Sequence, residues 1–166
     1  MAKEAEHIFS QMLADGVEPN GLVFATLINV FAQVGDADRA RRRLEEMKRL
    51  GLPPDIKAYN AVANALVQRA RRARNPKYLA QAEAILKEMT AEGVQPSEVS
   101  FATVINGFAR LGLTEGADRL FEKMREASIR PDLDTYNALL NARSKRAKNT
   151  QDQKQIEEAE HIFGRM

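Results

Sequence analysis

The sequence of 166 residues contains no cysteine and no tryptophan, and only two histidines. Without cysteine the chain forms no disulfide and offers no thiolate ligand to a metal. His7 and His161 lie 154 residues apart in two copies of the segment Glu-Ala-Glu-His-Ile-Phe, which favours equivalent surface positions rather than ligands or bases. We therefore predict no catalytic residue, no metal site and no cofactor.

Long apolar runs and a strong charge of one sign are also missing. No segment approaches the roughly 20 apolar residues that a membrane-spanning helix requires, so we expect no membrane partner. The 25 basic and 23 acidic residues leave a net charge of +2, which does not by itself indicate a nucleic-acid partner. There is no alternating strand pattern and no glycine-rich phosphate loop. These absences leave an all-α protein.

Residues 21–55 predict two amphipathic helices joined by a short turn. Apolar residues recur in the first helix at the spacing of one helical stripe, at Phe24, Leu27, Ile28 and Phe31. Gly35 ends that helix and Asp36 caps the next. The inward face of the second helix is predicted to be Ala37, Ala40, Leu44 and Met47. One hairpin cannot bury both apolar faces alone, so it requires copies of itself on either side.

The copies are present at an offset of 77 residues. Phe-Ala-Thr-Leu-Ile-Asn at 24–29 returns as Phe-Ala-Thr-Val-Ile-Asn at 101–106, and Tyr-Asn-Ala at 59–61 returns at 136–138. Each period holds one unit of 35 residues and one of 42. Such self-similarity predicts a solenoid, in which each unit is stabilised chiefly by its neighbours.

We accordingly predict an all-α, right-handed αα-superhelical solenoid with alternating 35- and 42-residue units. The single array divides into a half repeat (1–20), repeats 21–55, 56–97 and 98–132, and an incomplete repeat 133–166. The expected helices cover 3–14, 21–34, 37–50, 56–73, 78–92, 98–111, 114–127, 133–148 and 154–166.

At both ends of the array, apolar residues lie on helix faces that a further helix would cover. In the helix over 3–14 we predict Ala5, Ile8, Phe9 and Met12 to face inward. Ile162 and Phe163 occupy the same kind of face at the other end. The chain is therefore expected to be a segment of a longer array, to lack a signal peptide, and to self-associate end to end.

The two longer units carry basic insertions at the turn between their helices. Arg69 corresponds to Arg146 and Arg71 to Lys148, so equivalent charges should lie on one edge of the array. One interpretation is a solubilised helix end; the other, which we favour, is a pair of phosphate-binding protrusions. The candidate phosphate ligands are Arg69, Arg71, Arg72, Arg74, Lys77, Arg143, Lys145, Arg146 and Lys148.

The pattern resembles the pentatricopeptide repeat family. It shares the 35-residue period, the Tyr-Asn or Phe-Ala start, the Ala and Met of the second helix, and the closing Gly-x-x-Pro-Asp of residues 51–55. Tetratricopeptide repeats differ in their period of 34 and their Trp and Leu-Gly signature. The resemblance implies a solenoid that binds single-stranded RNA along its concave first-helix face, one nucleotide per repeat.

The resemblance also implies roles for particular positions of each unit. The fifth and last residues would read the base edge, and the second would pack against the base plane. The fifth residues are Ala25, Asn60, Ala102 and Asn137, and the last residues are Asn20, Asp55, Ser97 and Asp132. The second residues are Leu22, Lys57, Val99 and Asp134.

Several of these residues depart from the family's usual choices. The pair Asn60 and Ser97 resembles a pyrimidine-reading combination, whereas Ala25 and Ala102 have no polar group with which to discriminate. Lys57 and Asp134 cannot form an apolar clamp. The ninth residue of every unit is asparagine, at Asn29, Asn64, Asn106 and Asn141. We interpret this row as a ladder of bonds between repeats, the alternative being a polar floor for a nucleotide chain.

We predict a non-catalytic module that binds single-stranded RNA, either a transcript or ribosomal RNA. The alternative is a scaffold that holds protein partners within a large ribonucleoprotein. The resemblance places such a protein in a mitochondrion or chloroplast, in RNA processing, translation or association with a ribosome.

Overall fold

The computed structural model describes residues 2–150, 158 and 160–164, with no side-chain placement for 147–150. Residues 2–150 form eight α-helices, which we number in chain order. They are α1 (Ala2–Ala14), α2 (Gly21–Val34), α3 (Ala37–Arg49), α4 (Ile56–Ala73), α5 (Lys77–Ala91), α6 (Glu98–Arg110), α7 (Thr114–Glu126) and α8 (Leu133–Thr150). The predicted bounds of these eight agree to within two residues. The ninth predicted helix, 154–166, lies largely outside the described residues.

Short-range polar chemistry fixes where the helices begin and end. The side chains of Asn20, Asp55 and Ser97 each accept a hydrogen bond from the backbone N–H three residues on, at the start of α2, α4 and α6. Such caps satisfy N–H groups that have no partner inside the helix. Gly35 ends α2 at φ +74°, a left-handed conformation that a side chain disfavours.

The first helices of the hairpins stack directly on one another. The backbone of α2 lies against that of α4, α4 against α6, and α6 against α8. Among these described helices, α3, α5 and α7 make no such contact with one another; each packs on the first helices beside it. Since the first helices are the more closely spaced row, the array curves towards them. This arrangement is an all-α solenoid, as predicted.

The core follows the predicted stripes. Every residue predicted to face inward from α2 and α3 is buried. Gly107 allows α6 to approach its neighbours, because a Cβ there would lie 2.8 Å from Leu79 Cδ2 and 2.9 Å from Val67 Cγ2. One predicted core residue is wrong: Ile8 is 64% exposed, because α2 is the one described helix whose backbone packs against α1. Phe163 is 70% exposed, and the end-to-end association of these faces stays a prediction.

Ion pairs, rather than backbone contact, join the second helices. Glu6 on α1 accepts from Arg39 and Arg43 on α3, at 3.4 and 3.5 Å. Glu83 on α5 accepts from Arg119 and Lys123 on α7, at 2.7 and 2.8 Å. Glu6 and Glu83 are separated by the 77-residue period, so the acidic side of the link recurs on the outer layer, whereas its basic partners lie 80 residues apart.

A third link is centred on Lys48 of α3, which pairs with Glu88 and with Glu92 at 2.6 Å. Tyr59 of α4 is fully buried, and its hydroxyl donates to Glu92 at 2.5 Å. Burial and this bond raise the pKa of Tyr59 to about 12, so the phenol stays protonated and keeps donating. The bonds from Lys48 and Tyr59 lower the pKa of Glu92. Three helices thus meet at one polar cluster.

The Glu83 link should contribute measurably to stability. Only 12% of the Glu83 side chain is exposed. Burial acts to raise the Glu83 pKa, but the bonds from Lys123 and Arg119 outweigh it and leave the pKa lowered. We expect Glu83→Gln to reduce the free energy of unfolding by about 1 kcal/mol at neutral pH, measured by urea denaturation.

The pH dependence supplies a further check. A pKa lowered by folding contributes stability that is complete above the ordinary glutamate value of 4.5 and is lost as the pH falls through the folded value. The difference in the free energy of unfolding between Glu83→Gln and wild type should therefore shrink as the pH falls below 4.5. Glu122→Gln is the matched control, since Glu122 is exposed and pairs only along α7 with Arg125. Equal losses from both variants would contradict the link between α5 and α7.

Candidate functional site

The last residues of the predicted units lie in one row, each immediately before a first helix. All four side chains accept a hydrogen bond from a backbone N–H three residues further on. The distances are 3.1 Å for Asn20, 2.8 Å for Asp55, 3.4 Å for Ser97 and 2.7 Å for Asp132. Capping therefore fixes the orientation of every residue predicted to be a last base-reading position.

The caps leave different groups over for a ligand. Asn20 accepts through its carbonyl oxygen, so its amide can still donate. Asp132 also accepts from the Thr135 hydroxyl at 2.6 Å. Burial acts to raise the pKa of Asp132, but the Thr135 bonds outweigh it and the pKa is lowered. Sequence reasoning missed this capping role, although Asn, Asp and Ser one residue before a helix are its ordinary signal.

The second and fifth residues lie on the same stripe of each first helix, three residues apart. Ala25, Asn60 and Ala102 are half-buried, and Asn137 is exposed. The Asn60 carbonyl oxygen is buried without a hydrogen-bond partner among the described residues. A buried acceptor without a donor is costly, and this atom could accept from a ligand only after the Asn60 side chain rotates to expose it.

The second residues are all exposed at the N-terminal ends of the first helices. Leu22 is 76% exposed and Val99 61% exposed. Apolar side chains so fully exposed are available to contact a flat apolar surface such as the face of a base. Lys57 and Asp134, in the longer hairpins, place opposite charges at the corresponding points.

The asparagine row is not a ladder between repeats. Asn29, Asn64, Asn106 and Asn141 are all exposed. Among the described residues, their one hydrogen bond lies within α6, where Arg110 Nε donates to Asn106 at 3.0 Å. The sequence interpretation was wrong because each amide is directed outward from the contact between adjacent first helices. The row instead forms a polar strip beside the fifth residues.

Two basic insertion residues cap the preceding first helix. Arg72 on α4 donates to the Val34 carbonyl at 3.0 Å, and Lys145 on α8 donates to the Arg110 carbonyl at 2.9 Å. Val34 and Arg110 end α2 and α6, where carbonyls lack helical partners and a cation is favoured. The same contact thus recurs two hairpins along the array.

Three more insertion residues form ion pairs with neighbouring helices. Arg69 pairs with Asp38 at 2.5 Å, and its guanidinium lies over the Tyr78 ring at 4.5 Å from the centroid; the Asp38 bond raises the pKa of Arg69. Arg146 donates to the Thr114 hydroxyl at 2.7 Å. Arg143 lies 2.9 Å from Asp118. These cations hold hairpins together.

The other insertion residues are available. Arg71, Arg74 and Lys77 are exposed, and their side chains have no polar partner among the described residues. The Lys148 side chain lies outside the described residues. Arg71 is eleven residues after Asn60, which places the two about 20° apart around the helix and about 16 Å apart along it. Amide and guanidinium therefore share one face of α4.

Other kinds of site are not found in the described part of the chain. Residues 2–150, 158 and 160–164 contain no group of three or more His, Asp or Glu residues placed to hold a metal ion. None of the described helices is long and apolar enough to cross a membrane.

Stacked helical hairpins whose side-chain rows recur along the chain define a helical-repeat solenoid. A family profile described as the pentatricopeptide repeat domain matches residues 7–69 and 84–146, well over half of the sequence. The two matches begin one 77-residue period apart. The chain belongs to the pentatricopeptide repeat family.

Named relatives agree with this assignment. The chain is 32% identical over 145 residues to the chloroplastic pentatricopeptide repeat-containing protein DOT4 of Arabidopsis thaliana, covering 85% of this chain and 15% of DOT4. It is 27% identical to the mitochondrial pentatricopeptide repeat-containing protein At1g62260 of the same plant, covering 94% of this chain and 21% of the relative. The chain thus spans about a fifth or less of these relatives.

Solved structures share the fold. The pentatricopeptide repeat protein PPR10, in complex with an 18-nt psaJ RNA element, matches with a TM-score of 0.75 and 27% identity, covering 97% of this chain and 22% of PPR10. The PPR domain of Arabidopsis thaliana protein-only RNase P 1, in complex with tRNA, matches with a TM-score of 0.70. Its identity of 19% makes that likeness one of fold alone.

Adjacent arginines on α4 allow a matched test of the structural role of the insertion. Arg72→Ala removes a donor and a cation from the end of α2, and we expect a loss of about 0.5–1 kcal/mol in the free energy of unfolding. Arg71→Ala should change it by less than about 0.5 kcal/mol. Chemical denaturation measures both, and equal losses would contradict the assigned contact with Val34.

Proposed function

We propose that this chain is a non-catalytic segment that binds single-stranded RNA along its row of first helices. The observation that carries the proposal is the stripe shared by the second, fifth and ninth residues. It offers exposed apolar side chains at Leu22 and Val99 and a line of exposed amides at the ninth positions. Single-stranded RNA is recognised by contacts of this kind to base faces and base edges.

The family and the fold support the same proposal. PPR10 carries RNA on a solenoid that matches nearly the whole of this chain. We propose the base-edge roles for Asn20, Ala25, Asp55, Asn60, Ser97, Ala102, Asp132 and Asn137, and the base-face roles for Leu22, Lys57, Val99 and Asp134. Because the relatives are named chloroplastic or mitochondrial, we propose an organelle as the site of action.

Phosphate binding is assigned to a smaller set of cations than the sequence indicated. Arg71, Arg74 and Lys77 are exposed and available, whereas Arg69, Arg72, Arg143, Lys145 and Arg146 already bind protein groups. A nucleotide whose base lies at Asn60 would extend its phosphate towards the C-terminal half of α4. Arg71 lies on that side of the same face, within reach through its long side chain.

The salt dependence of RNA binding tests this assignment. Each phosphate contact on a single strand contributes about −0.7 to the slope of log affinity against log salt. Replacing Arg71 and Arg74 with alanine should reduce the slope by about 1.4 and weaken all RNA sequences about equally. Fluorescence anisotropy over a salt series measures the slope.

The matched control is the double variant Arg69→Ala with Arg72→Ala, which removes the same charge from partnered positions. It should lower stability but alter the slope less than the first variant. If the partnered pair changes the slope more, the phosphate assignment is wrong. If wild type binds no RNA at low salt, the scaffold alternative becomes the better account.

A further inference from the structure

Short and long hairpins alternate along the chain, so the structure repeats every two hairpins. The longer first helices, α4 and α8, contain 18 residues each, whereas α2 and α6 contain 14 and 13. At about 1.5 Å per residue, the longer helices extend about 6 Å beyond their neighbours. On the shared stripe the second and fifth residues change in the same alternation, whereas the ninth is an exposed asparagine in every hairpin.

The fifth residues alternate between alanine and asparagine along the stack. Alanine carries no donor or acceptor, so Ala25 and Ala102 cannot distinguish one base edge from another. Asn60 and Asn137 each carry both. The last residues alternate as well: Asp55 and Asp132 close the short units and Ser97 closes a long one. A short unit therefore supplies a methyl group and a carboxylate already engaged in a cap.

The second residues alternate in the opposite sense. The short hairpins place Leu22 and Val99 in solvent, 76% and 61% exposed. The long hairpins place Lys57 and Asp134 there. An aliphatic side chain contacts the face of any base equally, whereas an amide selects among base edges. Short hairpins are thus suited to hold a base without selecting it, and long hairpins to select one.

Among the described first helices, α4 and α8 reach the position eleven residues beyond the fifth, whereas α2 and α6 end before it. In α4 that residue is Arg71, whose side chain is exposed and without a polar partner among the described residues. In the short hairpins the residue is Asp36, which caps α3, or Leu113, which precedes α7. In α4 an exposed cation therefore shares the helix face of Asn60.

We propose that the array reads RNA in a register of two nucleotides: each long hairpin selects a base, and each short hairpin holds the intervening nucleotide whatever its base. This inference rests on the proposed function. Its substrate class is single-stranded RNA in which every second base is fixed and the bases between are free. The three rows that carry it, the second, fifth and last residues, change together at the 77-residue period of the sequence.

Two RNA octamers of identical composition test the register. In one, U and A alternate singly, so positions two apart always carry the same base. In the other they alternate in pairs, so positions two apart always differ. Provided that Asn60 and Asn137 prefer the same base, the first octamer should bind about two- to fivefold tighter, whichever base is preferred. If all four hairpins selected the same base, the two octamers would bind with equal affinity.

Variants make the test specific to these residues. Replacing Ala25 and Ala102 with asparagine should make the short hairpins selective, and the two octamers should then bind with equal affinity. Replacing Asn60 and Asn137 with alanine should also make the two affinities equal, by abolishing selection. Titration of the isotope-labelled chain by NMR follows weak binding and shows whether each variant is folded.

The outcomes separate this inference from the proposed function. Binding of both octamers with equal affinity by wild type overturns the two-nucleotide register and leaves RNA binding intact. A difference that survives Asn60→Ala with Asn137→Ala overturns the assignment of selection to the long hairpins. If wild type binds neither octamer at low salt, the proposed function and the register both fall.

Discussion

The structure depends on the direct stacking of first helices. A single hairpin has two apolar faces and cannot bury both, so the first helices α2, α4, α6 and α8 pack side by side in one row, with α4 and α6 each between two others. The second helices complete the core but do not touch one another through their backbones. Long charged side chains cross the gaps between them instead, from Glu6, Glu83 and Lys48. Close packing inside and ionic links outside together bend the array towards the first helices.

This constraint also determines what the concave surface can present. Since the inward stripe of each first helix is used for packing, the outward stripe is left for recognition, and its residues are repeated at the spacing of the helices. The N-terminal end of the stripe carries the polar residues that cap the helices and, in the short hairpins, exposed aliphatic residues. The C-terminal end carries basic residues, of which some cap the preceding helix and others remain available. Neighbouring residues therefore differ in their contacts: Arg72 donates to the Val34 carbonyl, whereas the Arg71 side chain is exposed.

Helix positions and the core could be predicted from the sequence because they follow from apolar periodicity and from glycine and capping residues. The stripe from Phe24 to Phe31 and the turn at Gly35 are examples. Ile8 could not be placed, because its burial depends on whether another helix covers it. The partners of Arg72 and Arg69 were also inaccessible: Val34 and Asp38 belong to the preceding hairpin. The asparagine row was interpreted as a ladder of bonds between repeats because it is regular, but the structure exposes it. Regular recurrence alone does not distinguish a residue that bonds the next repeat from one that faces solvent or a ligand.

The most direct measurement of the central claim is a map of the surface that RNA contacts. Backbone and side-chain amide chemical shifts of the isotope-labelled chain should be recorded during titration with a short single-stranded RNA. We predict that the largest changes occur along the first-helix row, including the side-chain amides of Asn29, Asn60, Asn64 and Asn106, with little change on the outer faces of α3, α5 and α7. Changes concentrated on those outer faces, with the asparagine amides unmoved, would contradict the account.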